Sequence, residues 1–497
     1  MRHLTPMILA AALAGLAAAD QKGPSSSPQT QHAGPGDSAR QLAPGDPNEQ
    51  LLASVAALAE NALVAVDCQY GDGAGGGSAE GVGVCYDAQK GDFLTPALGN
   101  RVRAEDIKEI SLVLPGPKQE TVPAQFLGAR PEFGLAFLRA KEKRNWRAVR
   151  FAASSDLKTG QLVVSAGLMP GSSANVPYVG MGYVSARLKV PDTLYYVTGG
   201  KLTCLGSPVF SSSGLAVGLV SRTVYMDYQT LTARGATMIS LKGMQEASFF
   251  IPVEEFVDAL KQVPHDGTVA RPAWMGVLKA LGAGKEQADL MKLTKPAVMI
   301  DQVIPASPAA QAGLKSGDVL VAFDGRPIEL LSTPELTGEN FLRKIMLTPV
   351  GKKVTVTVSR QGAEKQVELT LTEMPILAEE APRYVNDSLG LAVREKVDLD
   401  LYLDQSGAKQ VSGLSVIGVA DQGPAQAAGL KAGDVITAVN GTNVRSADLF
   451  RKQVEQSVKD DPQKGIVFMV HRGDSEPRPV TVAPAVRDAA REDRPQP

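Results

Sequence analysis

Histidine is nearly missing from this chain: 497 residues contain four, His3, His32, His265 and His471. None lies between residues 62 and 263, so that stretch holds no imidazole of its own to act as a general base. An excess of positive charge is lacking too. With 51 Lys and Arg against 53 Asp and Glu, the net charge is −2, which excludes the basic footprint of a nucleic-acid partner. Cysteine is sparse, with Cys68, Cys85 and Cys204 alone. Their spacing is not that of a zinc site, so no metal and no cofactor is expected. Aromatics make up 5%, whereas Gly (49) and Pro (33) are frequent, a balance that favours many short elements over long helices. After the first twenty residues no apolar run is long enough to span a bilayer.

What is present begins with MRHLTPMILAAALAGLAAAD. Arg2, an apolar run over 4–16 and the small residues Ala17-Ala18-Ala19 read as a signal peptide over 1–19, cut after Ala19, for a periplasmic or secreted protein. The competing reading, a membrane anchor, needs a longer run. Residues 20–50 are rich in Pro, Gly, Ser and Gln and predict a disordered linker. LLASVAALAENAL then shows helical spacing. From about 62 to 252, runs such as ALVAVDCQY, GVGVCYD, LAFLRA, QLVVSAG and SFFIPV predict short strands separated by turns, as in a β-barrel or sandwich. VEEFVDALKQV (253–263) predicts a closing amphipathic helix. Cys68 and Cys85 fall in consecutive strand-like runs. Two alternatives stand there: a cross-strand disulfide, or two separate buried thiols.

The C-terminal half repeats itself. VIPASPAAQAGLKSGDVLVAFDGRPI (303–328) matches VADQGPAQAAGLKAGDVITAVNGTNV (419–444). Each copy predicts a short helix stopped at a glycine, Gly313 or Gly429. A Gly-Asp turn follows, then a strand and a tight hairpin at Asp324-Gly325 or Asn440-Gly441. The period is that of a domain rather than of a solenoid.

The GL-x-x-GD segment followed by a DG or NG turn resembles the core of PDZ domains, twice. The resemblance implies peptide binding by addition of a strand to an open sheet edge. Backbone amides in the preceding loop would hold the ligand's terminal carboxylate. The loop residues it assigns to peptide binding are Met275, Gly276 and Val277 in the first copy and Leu389, Gly390 and Leu391 in the second.

The β-rich segment before the repeat resembles the HtrA family of envelope serine proteases. GVGVCYDAQKGDFLTPALGNRV (81–102), PEFGLAFLRA (131–140), LKTGQLVVSAGLMPGSS (157–173), GMGYVSAR (180–187) and LTCLGSPVFSSSG (202–214) each follow that family's pattern in order. The fold implied is mainly β: a trypsin-like double β-barrel at 51–263, PDZ domains at 266–376 and 382–485, and a disordered tail at 486–497. The catalytic positions do not follow. Leu98 falls on the histidine, Gly134 on the aspartate and Leu205 on the serine. A triad needs a nucleophile, an imidazole and a carboxylate that orients it, and these three residues supply none of them. The segment TGGKLTCL (198–205) is also two residues shorter than the family's oxyanion loop. Cys204 or Ser207, each with Lys201, are the remaining candidates for a displaced nucleophile.

The resemblance without its triad implies a pseudoprotease: a scaffold or quality-control factor of the envelope. Its partners would be protein C-termini or unfolded segments, and it would be a homo-oligomer, a trimer in the family's manner. The rival expectation is an active serine-type endopeptidase with a non-standard site. A holdase-like chaperone is a third.

Overall fold

The computed structural model describes residues 46–485 other than 72–75, 97–103, 222–227, 233–234, 240–246, 361–362, 379, 401–410, 462 and 474. The expected signal peptide, most of the expected linker, the tail and Leu98 lie outside the described residues. Among the described residues no helix is long and apolar enough to cross a membrane.

Helix α1 (Pro47–Ala62) takes in the last four residues of the stretch expected as linker. Its Leu51, Val55, Ala59 and Ala62 recur at helical spacing and are buried, which draws the preceding turn into the helix. The first barrel is built from β1 (Leu63–Gly71), β2 (Gly76–Asp87), β3 (Asp92–Thr95), β4 (Ile107–Val113), β5 (Thr121–Arg130) and β6 (Leu135–Ala140). The order is β5-β4-β1-β2-β3-β6, closed by pairing of β5 with β6. Closure removes the exposed edges that an open sheet would present.

In the β1–β2 hairpin Cys68 stands opposite Ala79, while Cys85 stands opposite Phe93 on β3. The two thiols therefore sit at opposite ends of the hairpin and both are free. The disulfide alternative gives way to two buried thiols. Burial, reinforced by Asp67, pushes Cys68 up to about 11. Burial, reinforced chiefly by Asp87, pushes Cys85 up to about 12. Neither is a thiolate at neutral pH, so both act as core hydrophobes.

The second barrel comprises β7 (Leu162–Leu168), β8 (Pro177–Val190), β9 (Asp192–Thr198), β10 (Pro208–Phe210) and β11 (Ala216–Ser221). A separate hairpin follows, β12 (Tyr228–Thr232) with β13 (Gly235–Ile239), and then the last barrel strand, β14 (Ser248–Pro252). Its closed order is β10-β11-β14-β9-β8-β7. Tyr195 stacks on Phe250 inside it, with ring centroids 4.9 Å apart. A shared core of Leu63, Leu94, Phe137, Val164, Phe210 and Phe256 joins the barrels, and α1 packs on it. The expected closing helix is broken into a 3-10 turn, Val253–Glu255, and a short α2 (Val257–Lys261). Phe256 plugs into the shared core, edge-on to Phe151. Glu254 accepts from the Ser154 amide at 2.6 Å and Glu255 from the Thr193 amide at 2.9 Å. These ties hold the chain against the barrel where a regular helix would lift it away.

The pair β15 (Thr268–Val269) with β5 carries the chain out of the barrels. The first repeat then runs β16 (Ala273–Trp274), β17 (Val277–Gly282), α3 (Lys285–Leu290), β18 (Val298–Val303), α4 (Pro308–Gln311), β19 (Val319–Phe323), β20 (Arg326–Pro327), α5 (Pro334–Met346), β21 (Lys353–Arg360), β22 (Ala363–Thr370) and β23 (Thr372–Glu373). The second runs β24 (Arg383–Asn386), β25 (Leu391–Glu395), β26 (Leu414–Val419), α6 (Pro424–Ala427), β27 (Val435–Val439), β28 (Thr442–Asn443), α7 (Ala447–Asp460), β29 (Ile466–His471) and β30 (Arg478–Val482). The main sheets match strand for strand, β17-β18-β19-β21-β22 against β25-β26-β27-β29-β30. Both expected hairpins take positive φ at their two central residues: 49° and 74° at Asp324-Gly325, 47° and 84° at Asn440-Gly441. That is the turn whose twist matches the strands it joins.

The Gly-Asp element does more than turn. Asp318 accepts the Lys315 amide at 2.8 Å and a fork from Arg360, whose Nη2 also donates to the Gly313 carbonyl. Asp434, Arg472 and the Gly429 carbonyl repeat this arrangement atom for atom.

Candidate functional site

The two described positions expected to carry triad groups lie in the turn that leads into β6 and in the loop that enters β10. Gly134 ends the 3-10 turn Pro131–Phe133 with φ 65° and donates its amide to the Pro131 carbonyl at 3.0 Å. Nothing lies within 4 Å of where a side chain would begin. The left-handed backbone, which favours glycine, belongs to the position on which the aspartate was expected.

Leu205 sits at the tip of the loop and is 37% exposed. The adjoining Gly206 has φ 83°, and a Cβ there would meet Pro96 Cγ at 2.5 Å. Its amide donates to the Val220 carbonyl at 2.8 Å, and the Val220 amide returns to the Ser207 carbonyl at 2.8 Å. Ser207 is wholly buried. In a trypsin-like oxyanion hole the donors are the amide of the serine position and that of the residue two before it. On the alignment expected from the sequence these would be Leu205 and Thr203. The Thr203 amide is spent on Ser165 Oγ, 2.8 Å away inside the second barrel. The amide expected as one donor is thus engaged inside the second barrel.

Cys204 is half-buried. Its thiol donates to the Leu168 carbonyl across 3.6 Å and its Sγ lies 3.3 Å from Ser207 Oγ. Burial, with Cys204 alongside, pushes the Tyr178 hydroxyl up to about 12, so this neighbour is a poor proton acceptor at neutral pH. Lys201 keeps its side chain exposed. The thiol is therefore tied to a backbone carbonyl and to the Ser207 hydroxyl, and the sequence of the barrels holds no imidazole.

The loops expected to hold peptides differ sharply. In the first repeat Met275 and Val277 are buried, and Gly276 has φ 97°. The carbonyls of Met275 and Gly276 accept from Ala309 and Ile304, at 2.7 and 2.9 Å. Among the described residues their own amides meet no acceptor. The free edge of β17 is covered by α5. A Cβ on Gly338 of that helix would overlap the Ala280 carbonyl, and one on Gly282 would stand 2.6 Å from Thr337 Cβ.

In the second repeat Leu389 and Leu391 are buried and Gly390 has φ 61°. The Leu389 amide donates to Asn386 Oδ1 at 2.9 Å and the Gly390 amide to the Asp387 carbonyl at 3.1 Å. Strand β24 lies antiparallel along β25. The edges at which the resemblance would add a ligand strand are covered, by a helix in one copy and by a strand in the other.

Sequence reasoning missed Arg343 on α5. Its guanidinium pairs with Asp192, lies 3.6 Å from Glu255 and donates to the Glu132 carbonyl at 2.9 Å, tying the first repeat to the barrels. Burial raises Asp192 even so, with Arg343 pulling the other way. An arginine near the end of an amphipathic helix reads as a solvated cation, so no signal in the sequence marks it.

Comparison with known proteins agrees with this geometry. Residues 81–219 match the trypsin-like peptidase domain family, and residues 281–371 and 388–482 each match the PDZ domain family. The fold is therefore that of a trypsin-like peptidase domain followed by two PDZ domains. The chain is similar to the probable periplasmic serine endoprotease DegP-like of Hahella chejuensis (strain KCTC 2396), 29% identical over 350 residues, covering 67% of each chain. It is 30% identical over 356 residues to the protein of the same description from Pseudomonas fulva (strain 12-X), covering 67% of this chain and 66% of that one. The match thus spans about two thirds of these relatives' length. An alanine-substituted form of the HtrA-type protease AlgW, solved with a decapeptide, shares the fold at TM-score 0.50 and 19% identity, covering 66% of this chain and 98% of that one. The chain belongs to the HtrA-like family of trypsin-like serine proteases with C-terminal PDZ domains.

Proposed function

We propose that this chain is a non-catalytic member of that family, a peptide-binding scaffold of the cell envelope. The single observation that carries the reading is the diverted Thr203 amide beside Leu205, in barrels without histidine. Loss of triad members alone leaves an oxyanion hole able to supply about 10³–10⁴-fold catalysis over water. With one donor turned onto Ser165 even that residue of activity is weakened. Gly134, left-handed and without a side chain, supplies no carboxylate for a general base.

In this reading the barrels are a platform, and the PDZ domains receive hydrophobic C-termini or unfolded segments once the covering helix or strand has moved from the edge. Met275–Gly276–Val277 and Leu389–Gly390–Leu391 are the loops that face the ligand's end. A periplasmic location and assembly as a trimer belong to the same reading, supported by what the relatives are called and by the family. The test is incubation of the full chain with unfolded casein and a fluorophosphonate probe. Neither cleavage nor labelling is expected, and Leu205→Ser is expected to restore neither. Cleavage of casein by the unaltered chain would establish the endopeptidase instead.

A further inference from the structure

The second PDZ domain holds a piece of its own chain where a ligand strand would lie. Strand β25 has two edges. One pairs with β26 and the other with β24, in the register Arg383↔Arg394, Tyr384↔Val393, Val385↔Ala392 and Asn386↔Leu391. Strand β24 also meets the helix that would flank a bound peptide. Tyr384, 7% exposed, packs edge-on to Phe450 of α7 with centroids 6.0 Å apart. At the loop end, Asn386 Oδ1 accepts from the Leu389 amide at 2.9 Å and the Ser388 hydroxyl at 2.7 Å, while its Nδ2 donates to the Tyr384 hydroxyl at 2.9 Å. A carboxamide oxygen thus occupies the loop amide that a terminal carboxylate would need. In the first domain the strand before the loop, β16, pairs with β23 instead, and its loop amides stay unmatched.

We propose that Arg383–Asn386 is a resident intramolecular ligand of the second PDZ domain, and that a chain with a free hydrophobic C-terminus gains that seat only by displacing it. The inference rests on the peptide-binding reading of the PDZ loops. A tethered occupant competes at an effective concentration on the order of millimolar. The apparent affinity of a peptide falls by the fraction of molecules in which the strand has left. Selectivity follows: a terminal carboxylate offers the Leu389 amide a charged acceptor, stronger than the Asn386 carboxamide it displaces, whereas a C-terminal amide only matches that carboxamide.

The test uses the full chain in two measurements. Hydrogen exchange of the 391–395 amides reads the resident strand directly. A synthetic peptide ending in a free valine carboxylate and carrying a benzophenone, with its C-terminal amide as control, reads access to residues 388–393. Tyr384→Ala, which removes the plug on Phe450, is expected to speed exchange at least tenfold. It should raise labelling by the acid peptide by a similar factor, with the amide peptide labelled less than the acid in every form. Asn386→Ala, which leaves the plug in place, gives the same direction at smaller size should the first variant fold poorly. Val385→Cys with Ala392→Cys, oxidised, locks the strand, and labelling of the second domain should vanish and return on reduction. Labelling undiminished in the oxidised form overturns the proposal, as does exchange unchanged in both single variants. Exchange that responds as expected with no labelling in any form keeps the resident strand and sinks the peptide-binding reading.

Discussion

The two PDZ domains share a framework and part ways at one edge. Their sheets correspond strand for strand, their long helices are capped by Thr333 and Ser446, and both carry the Asp–Arg fork. Yet β17 is covered by its own helix and β25 by the strand that precedes it. The framework residues satisfy backbone groups that every copy must bury, so they recur. The edge carries no such demand, because helix, strand, ligand or water can each satisfy it. Repetition in sequence therefore speaks for the frame and is silent about the seat.

The sharpest way to break the comparison is at Gly338. The helix lies so close to β17 that any side chain there overlaps the Ala280 carbonyl. Gly338→Val is expected to cost about 3 kcal/mol or more, or to push α5 off the edge. Denaturant unfolding reads the first outcome. Faster exchange of the 279–282 amides reads the second. A variant as stable and as protected as the parent would show that the edge is open after all.

The two loop glycines offer a smaller and paired contrast. Gly276 has φ 97° and a Cβ there would overlap Ser307, whereas at Gly390, φ 61°, the nearest atom is Ala420 Cβ at 3.1 Å. Gly276→Ala is expected to destabilise by roughly 2–3 kcal/mol, through overlap and strain together. Gly390→Ala should lose only about 1 kcal/mol, chiefly from the left-handed backbone. Equal shifts in calorimetric Tm would mean that Ser307 yields freely.

Much of this was legible in the chain. The strand runs, the glycine-stopped short helices and the DG and NG hairpins follow from local chemistry that acts within a few residues. What was not legible depends on partners distant in sequence. Ser165 and Thr203 are 38 residues apart, and only closure of the second barrel brings hydroxyl to amide. Gly338 reads as a helix weakness until β17 is seen beneath it. Asn386 is one polar residue before SLG, and nothing local distinguishes a turn residue from a stand-in carboxylate. Arg360 lies 42 residues from Asp318, so the Gly-Asp element reads as a turn and hides an ion pair.

That ion pair gives the finest contrast, because the two copies differ only in how well they shield it. Asp318 is 7% exposed and Asp434 1%, and both arginines are about equally open to solvent. At Asp318 burial works to raise the pKa, but the Arg360 fork, the Lys315 amide and the two positive charges outweigh it and hold the carboxyl below its ordinary value. A depressed carboxylate contributes stability above its unfolded pKa, about 3.9, and loses it as pH falls through the lower folded value. Asp318→Asn should therefore reduce Tm at pH 7 by the equivalent of roughly 1–2 kcal/mol, and the gap to the parent should close as pH drops below about 4. Asp434→Asn removes the better-buried acceptor and leaves Arg472 beside the same Gly429 carbonyl, so its loss at pH 7 should be the larger of the two. Thermal unfolding of both variants from pH 7 to pH 3 measures this directly. A gap that stays constant from pH 7 to pH 3 would show that the fork stabilises through its hydrogen bonds alone and not through the charge on Asp318.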